Sequence, residues 1–215
     1  MKVAVFDVCG TIYDENTTFA FLDSYFSDNR KYSFFRKLSK SFIWKAANYP
    51  FYRFLHTDIT RIIALSFLKG ESLSDIDRSA QEFVSVYLPS RVKKNITSLY
   101  DYYRDQGFDM VLMSGSLDVL IRHVGLSFMA DNTFATELEY EDGVYTGKVS
   151  KDQLFNKAEV LQANYSGLKY LVVISDNKTD LPLFLLANKA YAVCNKEKQL
   201  KYWHSKKINH LELLK

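Results

Sequence analysis

At 215 residues, with 28 lysines and arginines against 25 aspartates and glutamates, the chain is long enough for one well-buried core with a subsidiary lobe. Its formal net charge of +3 is slight, and no nucleic-acid motif accompanies it, so a nucleic-acid partner is not expected. Cys9 and Cys194 form neither a disulfide framework nor a zinc spacing, which favours a reducing compartment. No apolar stretch is long enough to span a bilayer, and Asp7 interrupts the first apolar run too early for a signal peptide; a cytoplasmic protein is expected.

In chain order, residues 3–8, 110–114, 170–174 and 190–194 are apolar runs that read as buried strands separated by helical stretches, which predicts a doubly wound parallel α/β sheet. Between Thr17 and Leu88 no such run occurs. There Phe19, Leu22, Tyr25 and Phe26, then Phe34, Phe35, Leu38, Phe42 and Ile43, then Ile59, Ile62, Ile63 and Leu65 recur at helical spacing. Gly70, Ser74 as a helix cap, and Pro89 punctuate the stretch. We expect residues 1–15 and 89–215 to form the core and residues 16–88 an inserted helical cap.

Four segments carry candidate chemistry. The first strand stops at a carboxylate in Asp7-Val8-Cys9-Gly10-Thr11, and the run from Met110 ends in Ser114-Gly115-Ser116. Open α/β sheets place their ligands at such strand ends. Lys157 begins a helical pattern with Ala158 and Leu161. The run from Tyr170 to Ile174 breaks into Ser175-Asp176-Asn177-Lys178-Thr179-Asp180, where two carboxylates four apart can converge on one hard cation.

In this order and at these separations the segments resemble the haloacid dehalogenase superfamily, and within it the phosphoserine-phosphatase-like branch with a helical cap after the first motif. Phe134 to Leu138 and Asp142 to Lys148 look like the strand and hairpin between that branch's second and third motifs. Residues 190–204 are similar to its last strand and closing helix, so the likeness runs through the whole chain. The resemblance implies a phosphomonoester hydrolase or phosphoryl transferase in which Asp7 attacks phosphorus and becomes an aspartyl phosphate. Thr11, Ser114 and backbone amides, with Gly115 and Asn177 beside them, would bind the phosphoryl group of a small substrate, and Lys157 would neutralise its charge. Mg²⁺ would be held by Asp7, Asp176 and the carbonyl of Cys9, with Asp180 counted among the metal residues as orienting its waters or the lysine.

The chain departs from its family at Cys9, where the phosphatases carry a second Asp that protonates the leaving group. A thiol is a poorer acid, so slow turnover is one expectation, and a catalytically weak module that binds a phosphorylated ligand is the alternative. Asn16 stands where phosphoserine phosphatases have a glutamate, with Glu15 beside it as a candidate substrate contact; the mismatch argues against phosphoserine. From Asn29 to Thr57 seven basic residues occur with no acid, interleaved with aromatics. We read this run first as the solvated face of an amphipathic cap helix, and as a surface for an anionic membrane or a large anionic substrate in the alternative.

Overall fold

The computed structural model describes residues 1–215. Strands β1 (Lys2–Phe6), β2 (Asp109–Leu117), β3 (Asn132–Glu141), β4 (Val144–Lys151), β5 (Tyr170–Ser175), β6 (Lys189–Val193) and β7 (Leu211–Leu214) form one sheet of order β4-β3-β2-β1-β5-β6-β7. All neighbours run parallel except β3 and β4, which make an antiparallel hairpin at one edge. Val5 pairs with Val111 on one side and Val173 on the other. The strand order thus reverses at β1, and in open sheets the crevice at such a switch point is where ligands bind.

Alternate residues of the central strands feed two apolar layers, as a pleated strand buried on both faces requires. Ala4, Phe6, Leu112, Val172 and Ile174 face helices α6 (Lys94–Asp105) and α7 (Asp118–Phe128), through Tyr100, Leu120 and Val124 among others. Val3, Val5, Val111, Met113, Leu171 and Val173 face α8 (Lys157–Asn164), α9 (Leu181–Leu186) and α10 (Glu197–Lys206), where Leu161, Phe184 and Trp203 are buried. The expected doubly wound α/β fold is the one observed.

Five helices lie between β1 and α6: α1 (Thr17–Tyr25), α2 (Arg30–Ser39), α3 (Phe42–Phe54), α4 (Ile59–Ser66) and α5 (Leu73–Glu82). Each starts at a short polar residue, Asn16, Asn29, Ser41, Asp58 or Ser72, whose side chain accepts an otherwise orphaned first-turn amide. Ser72, rather than the expected Ser74, therefore caps α5. Phe21, Leu22, Tyr32, Phe35 and Leu65 from these helices are buried in the same apolar cluster as Ala4 and Phe6. Residues 70–73 pair with the hairpin, Gly70 N donating to Tyr145 O at 3.0 Å and Leu73 N to Gly143 O at 2.8 Å. The expected limits at 15/16 and 88/89 fall just before α1 and at the helical turn Leu88–Arg91.

Two sequence readings need correction. The periodic run from Phe34 to Ile43 is split between α2 and α3, and Phe34, Leu38, Phe42 and Ile43 are exposed rather than packed. The chain closes on strand β7 rather than on a helix. Leu-Glu-Leu-Leu is too short and too poor in β-branched residues to announce itself, and it is held by pairing with β6.

Candidate active site

Asp7 is the residue after β1, and its amide still donates to Ile174 O at 2.9 Å, so its carboxylate leaves the sheet at the carboxyl edge. The chain then turns sharply. Gly10 has φ of +73°, and a Cβ there would lie 2.5 Å from Asp176 Oδ2. Conformation and space both demand glycine at this point.

The Asp7 carboxylate is buried and held at both oxygens. Lys157 Nζ donates to Oδ1 at 2.6 Å and Thr11 Oγ1 to Oδ2 at 2.9 Å. Lys157 reaches it because α8 begins at this residue and the side chain is sealed inside the core. The same ammonium donates to Asp180 Oδ2 at 2.7 Å, which also accepts from Ser175 Oγ at 2.6 Å. Thr11 is fixed in turn by accepting from the Asp176 amide at 2.9 Å. Burial pushes the Asp7 carboxyl above its ordinary range; Lys157 opposes that and Asp180 adds to it. For Lys157, burial acts downward, but the two carboxylates outweigh it and hold the ammonium charged.

Cys9 Sγ lies 2.8 Å from Thr17 Oγ1 and 3.7 Å from Ser114 Oγ. Burial and then the Asp7 charge push the thiol up, so it is protonated at neutral pH. Ser114 is fully buried, and its Oγ accepts from the Ser116 amide at 3.1 Å. Gly115 follows, and its carbonyl accepts from Arg61 Nη1 at 2.6 Å. Asn177 uses its side-chain carbonyl to accept the Thr179 amide and stands at the cavity wall.

Asp7, Cys9, Gly10, Gly115, Asp176 and Asn177 line a cavity of about 1020 Å³ together with Tyr49, Tyr52 and Arg53 of α3, whereas Thr11, Ser114 and Lys157 lie behind its wall. Asp7, Cys9 and Asp176 all line it. The donors suit a hard cation, which favours carboxylate and carbonyl oxygen; burial first and the Asp7 charge second push the Asp176 carboxyl up to about 7. Gly10 leaves the space beside Asp176 open. No three His, Cys, Asp or Glu residues gather around one point, so backbone carbonyls and water would have to complete the shell. Asp180, counted among the metal residues, does not line the cavity and is occupied by Lys157 and Ser175.

Comparison with known proteins decides the family. The family model of haloacid dehalogenase-like hydrolases matches residues 4–185. The chain belongs to that family. It is 26% identical over 140 residues to the phosphoserine phosphatase of Lactococcus lactis subsp. lactis (strain IL1403), a match covering 61% of this chain and 65% of that one. The chain thus spans just under two thirds of that relative's length. Among solved structures, a protein of unknown function from Bordetella pertussis Tohama I is similar over 100% of this chain and 98% of its own, with TM-score 0.77 and 16% identity. A phospho-aspartyl intermediate analogue of phosphoserine phosphatase matches over 99% of this chain and 92% of its own, with TM-score 0.66 and 17% identity. Both likenesses concern the fold.

Against this haloacid dehalogenase-like frame, sequence reasoning missed three participants. Arg61 is 4% exposed, and it bonds Gly115 O, Thr136 Oγ1 and Asp152 while its Nε finds no partner. Its signal was a lone charge in the apolar pattern of α4. Lys93 Nζ donates to Gly10 O at 2.6 Å, and Asn195 Nδ2 donates to Gly10 O at 3.1 Å and Asp176 Oδ2 at 3.3 Å. Nothing in their local sequence marks either. Asn16 caps α1 at the cavity wall, whereas Glu15 accepts from Tyr87 Oη at 3.1 Å and lies outside the lining.

Proposed function

We propose that the protein is a Mg²⁺-dependent phosphomonoesterase, acting on a small phosphorylated substrate by phosphoryl transfer to Asp7. The observation that carries this reading is the Asp7 carboxylate itself, buried at a cavity floor with Lys157 on one oxygen and Thr11 on the other. Such a group is fixed for in-line attack, and phosphoryl transfer is chiefly positioning and electrostatics. The relative named phosphoserine phosphatase supports the same class of substrate.

In this mechanism an Asp7 oxygen bonds to phosphorus as the ester oxygen leaves, and water later cleaves the aspartyl phosphate to release phosphate. Lys157, kept charged and aimed by Asp180, neutralises the phosphoryl oxygens. Thr11 fixes the attacking carboxylate, and the Ser114–Ser116 stretch near the carboxyl end of β2 would bind the phosphoryl oxygens. Asp7, Asp176 and the Cys9 carbonyl would hold Mg²⁺, which when bound offsets the repulsion between carboxylate and phosphate. The leaving oxygen needs a proton that the Cys9 thiol supplies poorly, and this favours substrates whose alcohol leaves easily.

The cap residues 16–88 then select the substrate, since Asn16, Tyr52 and Arg53 line the cavity. Asp7→Asn tests the reading: turnover of an aryl phosphate with Mg²⁺ should vanish while phosphate binding survives. Wild-type turnover in that variant would refute covalent transfer.

A further inference from the structure

We propose that the outer face of α2 and α3 docks the protein on an anionic membrane surface. The inference stands independently of the phosphatase reading. Helix α3 has no buried residue, although more than half of it is apolar. Tyr49, Tyr52 and Arg53 turn one side of it to the cavity. Ile43, Ala47, Pro50 and Phe54, spaced i, i+4, i+7 and i+11, share another side that points outward, and all four are exposed. Phe42, Ile43 and Phe54 are 84%, 81% and 75% exposed, and Phe34 at 70% with Leu38 extends the patch onto α2. Single exposed apolar residues are ordinary on a soluble surface; a run of large ones on adjoining helices marks a contact surface.

Charge identifies the partner. Lys31, Lys37 and Lys40 of α2 and its C-terminal turn are exposed beside the patch, and no acid occurs between Asn29 and Thr57. Arg36 is excluded from this count because Asp23 holds it. A second copy meeting through the same face would set these cations against one another, since a two-fold contact pairs a patch with itself. An anionic lipid surface satisfies both halves of the pattern: it takes the Phe and Ile side chains below the headgroups and leaves the lysines among the phosphates. The sequence alone showed the basic run, which fits a solvated face equally well. The exposure of its apolar residues is what the fold adds.

Co-sedimentation with vesicles tests the proposal without any substrate. The wild-type chain should sediment with vesicles in which phosphatidylglycerol replaces part of the phosphatidylcholine, and not with phosphatidylcholine alone. Added salt should weaken the binding. Lys37→Gln with Lys40→Gln should lower the partition coefficient roughly 30-fold, about 5-fold per charge. Ile43→Ser with Phe54→Ser should abolish binding, and because both side chains are exposed while Trp44 alone ties α3 to the core, this variant should keep its circular dichroism and melting point. Failure to bind anionic vesicles, binding that survives the Ile43/Phe54 variant, or a patch-dependent dimer without vesicle binding would each overturn the proposal. An acidic protein partner would likewise appear as absent vesicle binding.

Discussion

A thiol stands at position 9, within hydrogen-bond reach of Thr17 and beside Ser114, where an acid would have to stand to protonate a leaving group. Cys9→Asp should raise turnover by at most about 10²- to 10⁴-fold on alkyl phosphates and least on aryl phosphates, because general-acid help grows with the basicity of the departing group. Steady-state kinetics on one substrate of each kind measure this; a uniform loss would assign the thiol a positive role. Lys157 is the other decisive residue. Its removal as Lys157→Met leaves the buried carboxylates of Asp7 and Asp180 without their cation, which should cost about 3–5 kcal/mol in denaturant unfolding and abolish turnover. Asp180→Asn keeps the lysine's contact with Asp7 and should cost less. Equal stability of Lys157→Met and the wild type would mean the pair is not the buried unit described.

At the scale of elements, α1 and α2 are tied by Asp23, which accepts from Arg36 Nη2 at 2.9 Å and from Tyr32 Oη at 2.8 Å. Burial acts to raise the Asp23 carboxyl, but the hydrogen bonds from Arg36 and Tyr32 prevail and hold it below its ordinary range. A depressed carboxyl contributes stability above its unfolded pKa and loses it as pH falls through the folded one. Wild type and Asp23→Asn should therefore differ in melting temperature near neutrality and converge below pH of about 4. A gap that persists undiminished well below pH of about 4 would count against the ion pair. The central strands were legible because their apolar runs are buried on both faces, and Asp7, Lys157 and Asp176 because each sits at a strand or helix end, whereas β2 runs past the expected Ser114 to Leu117. Strand β7 was not legible, since only pairing with β6 defines it. Lys93 and Asn195 were also hidden, because each acts through a partner at least 83 positions away. The outer side of α3 misled, because helical periodicity marks an apolar face without saying what covers it.

For the whole molecule, the inserted helices share one apolar cluster of 34 buried residues with the sheet, so cap and core should melt in a single transition. Within that unit three carboxylates, Asp7, Asp176 and Asp180, are met by two ammoniums, Lys157 bonded to Asp7 and Asp180 and Lys93 offsetting Asp176. A cation that binds only the folded state relieves this imbalance and stabilises by mass action. Mg²⁺ at about a hundred times its dissociation constant should add about 2.7 kcal/mol, a rise of roughly 5–10 °C in melting temperature for a chain of this size. Chelation should reverse it. Asp176→Asn removes a ligand and one of the crowded charges together, so the metal-free variant should melt higher than the metal-free wild type and show no Mg²⁺ shift. Calorimetric scans of both proteins with and without Mg²⁺ measure the four melting points. A wild type indifferent to Mg²⁺, or an Asp176→Asn variant that keeps the full shift, would place the metal elsewhere or remove it from the reaction.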